Sequence, residues 1–497
     1  MNDFKKILLI NPPFERLFGE GAAPRGVKTP LGLCYIAGLL EKNGFECKVY
    51  NTDFIENPNV LSSKSFTKMY KTYLNTLNNL DSKVWIEIKE KLRDFDPDFV
   101  GISVMTPMLV SGLNVAKIVK SYNSDIPIVF GGVHPTISPE ETIEYDDVDI
   151  VVRGEGEKTF LDLIKNYNDK RNIKGITYKS RNKIINNPSR PLIKDLDELP
   201  IPARHLLFDY KKYPPETFGN IFASRGCPYN CIFCASNKIW KRTVRYRSPE
   251  NVIKEIKHIK NNFNTRLFRF EDDSFTLNKK WVFSLCNLII NEKLNIKWTA
   301  ETRADVVDDE LIKKMKEAGC KMIDIGVESG SDTSLKKIKK GVTLDQIRNA
   351  FKIIKSNNIL TNAFFIVGFP WESEKEINMT VSFMKELNPF HAYFSVSTPY
   401  PGTELYDIYD KENLIPKKIN WANFFHQSSD MYLTKKYSRN EVSEIIQNAQ
   451  DEFEKQNRNN IKNLIFSDPL YFFDILISNQ YYKPDKIAGA IKYIIGK

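Results

Sequence analysis

The chain has 497 residues, 42% hydrophobic and 27% charged, with a formal net charge of 72 − 62 = +10; this excludes a disordered chain and predicts two or three soluble domains. The basic residues are spread without a long run, so they read as a solvated Lys-rich surface, and no nucleic-acid partner is expected. No stretch of about 18 apolar residues predicts a membrane span, and MNDFKKILLINPPF lacks a secretory pattern, so a cytoplasmic location is expected and the seven cysteines are not read as a disulfide framework.

Residues 1–165 alternate short apolar runs with amphipathic stretches. KILLI at 6–10, CKVY at 47–50, FVGISV at 99–104, IPIVFGG at 126–132 and VDIVV at 148–152 read as buried parallel strands. Leu33, Ile36, Ala37 and Leu40 share one helical face, and Gly44 stops that helix. This pattern predicts a doubly wound sheet, whose ligands sit outside the carboxyl ends of the strands. Residues 166–215 are rich in proline and read as a linker.

From 216 to 435 the alternation resumes. IFAS at 221–224, LFRFE at 267–271, IKWTAE at 296–301, MIDIGVE at 322–328, FFIVG at 364–368 and AYFSV at 392–396 are strand candidates. Six βα units predict a partial (β/α)6 barrel with chemistry at its carboxyl end. Residues 436–497 read as a small helical region whose aromatics serve packing.

Cys34, Cys47, Cys286 and Cys320 are scattered in apolar settings and read as core residues. Cys227, Cys231 and Cys234 differ: they form a C-x3-C-x2-C spacing in the loop after the first predicted barrel strand. Thiolates suit zinc or an iron–sulfur cluster. A structural zinc site takes four ligands, usually in pairs, and no nearby His or Cys completes one here. Three thiolates on a cubane leave one iron open to a small molecule. Zinc and chance clustering of core cysteines remain the alternatives.

At these residues the sequence resembles the radical S-adenosylmethionine (SAM) superfamily, whose signature is this spacing on this loop. The resemblance implies a 4Fe-4S cluster that binds SAM through its open iron and splits it to a 5′-deoxyadenosyl radical. It implies that Phe233 lies against the adenine, and that Glu271, Asp272 and Asp273 hold the amino end of SAM. Glu328 matches a ribose-binding carboxylate, and Gly368 a loop that lets the adenine approach. Arg303 is a candidate for the SAM carboxylate through its planar fork.

The N-terminal part has a second resemblance, to the cobalamin-binding domain fused to one branch of that superfamily. It rests on Asn11-Pro12-Pro13, Pro30-Leu31-Gly32-Leu33, Gly131-Gly132-Val133-His134-Pro135-Thr136 and Arg153-Gly154-Glu155-Gly156-Glu157. It implies cobalamin contacts at Pro12, Ser103, Thr106, Gly131, Gly132, His134, Gly154 and Glu155. A flavodoxin-like domain that binds a nucleotide, or nothing, is the alternative. Many cobalamin proteins carry Asp-x-His-x-x-Gly, with the His as lower cobalt ligand. Asn51-Thr52-Asp53-Phe54-Ile55-Glu56 lacks it, which predicts cobalt without a His below. His134 is expected to order its loop or touch the corrin edge. Of the other histidines, His391 is placed near the barrel top.

Together the resemblances imply a radical methyltransferase acting on an unactivated carbon, or phosphorus, of a small-molecule or natural-product substrate. Methyl would pass through methylcobalamin, with an external electron donor such as flavodoxin or ferredoxin. A non-methylating cyclase or oxidase of tetrapyrrole type, and a cluster- or zinc-containing binding protein without turnover, are the other readings.

Overall fold

The computed structural model describes residues 4–19, 22–23, 28–56, 59–60, 69–181, 183–425, 437 and 439–478. The chain divides into two compact units. Unit 1 comprises residues 1–213 with Tyr400–Gly402 and Lys418–Phe425, and unit 2 the remainder.

Unit 1 is built on a seven-stranded sheet of β1 (Lys6–Asn11), β2 (Glu46–Asn51), β3 (Phe99–Ser103), β4 (Ile128–Gly131), β5 (Ile150–Val152), β6 (Ile176–Ser180) and β7 (Lys183–Asn186), in the order β2-β1-β3-β4-β5-β6-β7. The first five strands are parallel, with Ile7 opposite Cys47 and Phe99. Ile7 to Ile10 are fully buried, as a strand covered by helices on both faces requires. Helices α1 (Leu31–Lys42), α2 (Lys83–Phe95), α3 (Leu109–Tyr122) and α4 (Gly156–Lys165) supply the cover.

Residues 166–215, read as a linker, instead begin with the antiparallel hairpin β6–β7, which extends this sheet. Its strands are short and end in exposed Lys and Ser, so no apolar alternation announces them. Arg153 fastens the hairpin by donating to the carbonyls of Ile176, at 3.0 Å, and Asn187.

Unit 2 contains six parallel strands in sequential order: β8 (Asn220–Ile221), β9 (Leu267–Phe270), β10 (Lys297–Thr302), β11 (Cys320–Glu328), β12 (Leu360–Val367) and β13 (His391–Val396). Helices α5 (Pro249–Phe263), α6 (Lys279–Asn291), α7 (Asp309–Glu317), α8 (Leu344–Ser356) and α9 (Glu374–Leu387) lie between them, and α10 (Glu404–Lys411) follows β13. This is the expected open barrel; among the described residues its first and last strands do not pair. The predicted strand 221–224 stops early. The Ala223 N–H goes to Asp272 rather than to a strand neighbour, and Ser224–Arg225 pair antiparallel with Arg245–Tyr246.

Two C-terminal helices, α11 (Arg439–Ser467) and α12 (Pro469–Ser478), close the amino end of the barrel. Leu464 and Tyr471 pack with Met322 and Phe390, and Lys321, near the start of β11, pairs with Asp468 at 2.6 Å. Residues 479–497 and His426 lie outside the described residues. Among the described residues no helix is long and apolar enough to cross a membrane.

Candidate functional site

The three clustered cysteines lie on one loop of unit 2. The loop begins at Gly226, which is left-handed at φ +106°; a Cβ there would fall 2.0 Å from the Thr243 carbonyl. Only glycine fits such a position. The loop is then pinned from several elements. The Ile232 N–H donates to Ile338 at 3.1 Å, its carbonyl accepts from Leu405 at 2.9 Å, and Arg242 donates to Pro228 at 3.0 Å. All three cysteines are half-buried. Burial raises each thiol, Cys234 to about 12, while Lys340 and Arg303 oppose the effect at Cys231.

Among the described residues no three His, Cys, Asp or Glu side chains converge tightly enough to hold a single metal ion. A structural zinc would also need a fourth ligand, and the loop offers three thiolates. A cubane is different, because each thiolate binds its own iron and the three need not converge. The donor set and its spacing fit a cluster with one open iron.

The three carboxylates at the end of β9 separate into different roles. Asp272 is fully buried; it accepts from the Ala223 N–H at 3.1 Å and from the Ser224 hydroxyl, and burial pushes it to about 7. Asp273 accepts from the Ser236 hydroxyl at 3.0 Å, just past the third cysteine. Both therefore brace the cysteine loop. Glu271 faces Arg269 at 3.3 Å, and Arg269 also pairs with Asp324 at 2.8 Å.

Arg303, expected to take a carboxylate of SAM, is committed to the protein. Its guanidinium lies 3.5 Å over the Tyr229 ring, grips Asp305 at 2.9 and 3.1 Å, and donates to the Lys340 carbonyl at 2.7 Å. It joins the cysteine loop to the end of β10. Glu328 ends β11 at φ +67°, an uncommon conformation for a side chain of this size. Its carboxylate meets Lys340 Nζ at 2.7 Å, with both groups buried. Phe233 is half-buried between Ile232 and Cys234.

Gly368 follows β12, and Glu372 organises its turn. One carboxylate accepts from the N–H groups of Gly368 and Phe369 at 3.0 and 3.2 Å and from Ser334 Oγ at 3.1 Å. Burial pushes Glu372 to about 7. The folded protein thus keeps a proton that the unfolded chain releases between about pH 4.5 and 7, and stability falls as pH rises through that window. Glu372→Gln should remove on the order of 3 kcal/mol of this pH dependence. Urea melts at pH 5 and 7.5 check it; an unchanged slope in the variant would contradict it.

Tyr229, Asp305, Lys340 and Glu372 were not singled out from the sequence. Tyr229 lies inside the cysteine motif and Asp305 two residues past Arg303, so both were within reach. Lys340 and Glu372 have no local signal.

In unit 1 the candidate residues gather at the carboxyl ends of parallel strands. Pro12 follows β1, Ser103 ends β3, Gly131 ends β4 and Gly154 follows β5. Gly132 has φ +101°, and a Cβ there would stand 2.7 Å from the Val104 carbonyl oxygen. It lets the loops after β3 and β4 touch. Gly132→Ala should therefore destabilise unit 1 by about 1–3 kcal/mol of strain; urea melts check this, and an unchanged midpoint would contradict it.

His134 is buried, with Nδ1 3.2 Å from Thr106 Oγ1, and burial lowers it to about 4, so it is neutral. Gly154 donates to Thr136 Oγ1 at 3.0 Å. Glu155 accepts from the Ile193 N–H at 2.7 Å, a bond inside the protein. Asp53 is also occupied, accepting from the N–H groups of Phe14, Glu15 and Arg16 at 2.9–3.2 Å. His391 begins β13, at the opposite end of the barrel from that expected, and lies 3.4 Å from Asn457.

Comparison with known proteins agrees with both halves. Residues 21–164 match the B12 binding domain family and residues 221–384 the Radical SAM superfamily. An uncharacterised methyltransferase of Pyrococcus horikoshii is 35% identical over 89% of this chain and 91% of its own. The anaerobic magnesium-protoporphyrin IX monomethyl ester cyclase of Rubrivivax gelatinosus is 29% identical over 81% of this chain and 69% of its own. Among solved structures, the radical SAM methyltransferase TsrM of Kitasatospora setae, with cobalamin and a 4Fe-4S cluster bound, superposes with a TM-score of 0.65 at 17% identity, covering 84% of this chain and 79% of that one. With a cysteine loop at the head of an open parallel barrel and a doubly wound domain before it, the chain is an enzyme of the radical SAM superfamily, in the branch that carries a cobalamin-binding domain.

Proposed function

We propose that this enzyme transfers a methyl group from SAM to an unactivated carbon, or phosphorus, of a small molecule. The observation that carries the reading is the pairing, in one chain, of a three-thiolate loop with a cobalamin-type domain. The 35% identical methyltransferase relative, matched over nearly its whole length, supports it.

When bound, the cluster supplies the electron that splits SAM and the corrinoid carries the methyl group. The protein's part is positioning. Cys227, Cys231 and Cys234 would hold the cluster. Asp272, Asp273 and Arg303 keep their loop in place, which matters because misplacement by an ångström costs rate steeply. Glu328, held by Lys340, offers a fixed carboxylate beside Cys231 for the ribose hydroxyls. The Gly368 turn, set by Glu372, would let the adenine approach the backbone closely. In unit 1 the loops at Pro12, Ser103, Gly132 and Gly154 would receive the corrinoid. An external one-electron donor of flavodoxin or ferredoxin type completes the system.

The cyclase relative keeps a second reading in view, radical chemistry on a tetrapyrrole without methyl transfer. Incubating the reduced, cofactor-loaded enzyme with SAM separates the two. S-adenosylhomocysteine, which marks methyl transfer out of SAM, is expected alongside 5′-deoxyadenosine. Deoxyadenosine alone would overturn the methyltransferase reading.

A further inference from the structure

The barrel strands of unit 2 have two unlike faces. Phe270, Trp298, Ile323 and Phe365 are fully buried and apolar. Theirs is the helix side: Trp298 packs on Phe275, which meets Trp281 of α6. Arg269, Glu301, Asp324, Asn362, Phe364 and Tyr393 alternate with them and so line the inside of the barrel. None of these six belongs to the cysteine motif or to the residues expected to hold SAM.

They form two rows. In the first, Glu301 lies opposite Asp324, and Asp324 opposite Asn362. Arg269 closes on this row, 2.5 Å from Glu301 Oε1 and 2.8 Å from Asp324 Oδ2, with Glu271 Oε1 at 3.3 Å. One guanidinium is thus shared by three carboxylates. Asn362 Nδ2 donates to Asp324 Oδ1 at 2.7 Å. Asn362 is only 5% exposed, and its Oδ1, in the same row, accepts no hydrogen bond. The second row lies one step toward the carboxyl end, where Gly326 is opposite Phe364 and Phe364 opposite Tyr393. The two rings stack with centres 5.0 Å apart. A Cβ on Gly326 would fall 2.5 Å from Glu328 Oε1, so this row borders the Glu328–Lys340 pair.

Each of these features favours positive charge. Carboxylates and an orphan amide oxygen call for a cationic donor, and an ammonium supplies three N–H groups. Aromatic faces attract the same charge. Among the described residues no three carboxylates converge tightly enough for a metal ion, which leaves an organic cation. An anionic group would meet Glu301 and Asp324, while Arg269 is already engaged by carboxylates.

We propose that Glu301, Asp324, Asn362, Phe364 and Tyr393 form the substrate-recognition wall of the barrel, and that it selects a small molecule carrying an ammonium group. The rings cover the carbon skeleton, and the row of Glu301, Asp324 and Asn362 takes the charged nitrogen. This deepens the proposed function and rests on its placing of the substrate in the barrel.

Isothermal titration of the full-length, cofactor-loaded protein with SAM present tests it. The probes are benzylamine and phenethylamine, each beside its alcohol and its carboxylate analogue. The amines should bind wild type about tenfold or more tightly than the alcohols, the worth of a hydrogen bond to a charged group, and the carboxylates more weakly still. Glu301→Gln and Asn362→Leu should each weaken the amines about tenfold and leave the alcohols unchanged. Glu301→Gln is isosteric at a side chain 41% exposed, so it serves if Asn362→Leu does not fold. The proposal is overturned if neither amine binds, if amine and alcohol bind wild type equally, if the carboxylates bind more tightly than the amines, or if the variants keep the wild-type preference. These readouts are of binding, so failure of the methyltransferase reading, seen as missing S-adenosylhomocysteine, is distinct from all of them.

Discussion

Cys231→Ala abolishes both the iron–sulfur cluster and SAM cleavage, down to background, while unit 1 still retains cobalamin. The reasoning is stoichiometric. The three thiolates are the only cluster of three cysteines among the described residues; the other four are buried in the core, Cys34 near Cys47 and Cys286 near Cys320. Losing one leaves two thiolates, too few to hold a cubane. Cys231 is also the thiol flanked by Arg303 and Lys340, which favour its ionised form. Unit 1 keeps its own core of Ile7, Leu9, Phe99 and Phe130, so its fold does not depend on that side chain. Iron content, the 5′-deoxyadenosine yield and corrin absorbance are the readouts. Deoxyadenosine formed by Cys231→Ala at the wild-type rate would remove the cluster assignment.

The second large effect concerns Glu328. In the fold its carboxylate is paired with Lys340 in a buried setting. Glu328→Ala strands that ammonium, and leaving a buried charge unpaired costs about 3–5 kcal/mol. A loss of SAM affinity in that variant would mix lost contact with lost structure. Glu328→Gln combined with Lys340→Met removes both charges and keeps the volume. This double variant should bind SAM ten- to about a hundredfold more weakly, the worth of a hydrogen bond to a charged group, with its cluster intact. Equilibrium dialysis with the cluster absorbance as control measures it. Unchanged affinity would take Glu328 out of the SAM site.

The main architecture was legible because it is written in local patterns. KILLI and FVGISV are continuous apolar runs, and a strand buried on both faces needs such runs. The C-x3-C-x2-C spacing stands out because its chemistry needs three soft ligands close in sequence. The hairpin at 176–186 was hidden by its short, polar-ended strands. Glu271, Asp272 and Asp273 look equivalent in sequence; only the turn of the chain sends the last two back to the cysteine loop. Arg303 shows the same limit: an arginine at a strand end suits a ligand carboxylate or a protein one, and Asp305 and Tyr229 decide it. Asp324 and Asn362 are 38 positions apart, so no local signal joins them.

The most direct test of the two-cofactor enzyme is anaerobic reconstitution with iron, sulfide and hydroxocobalamin, followed by desalting and metal analysis. About four irons and one cobalt per chain, with SAM consumed on reduction, is the predicted result. Iron retained without cobalt would contradict it, leaving a radical SAM barrel whose N-terminal domain serves some other purpose.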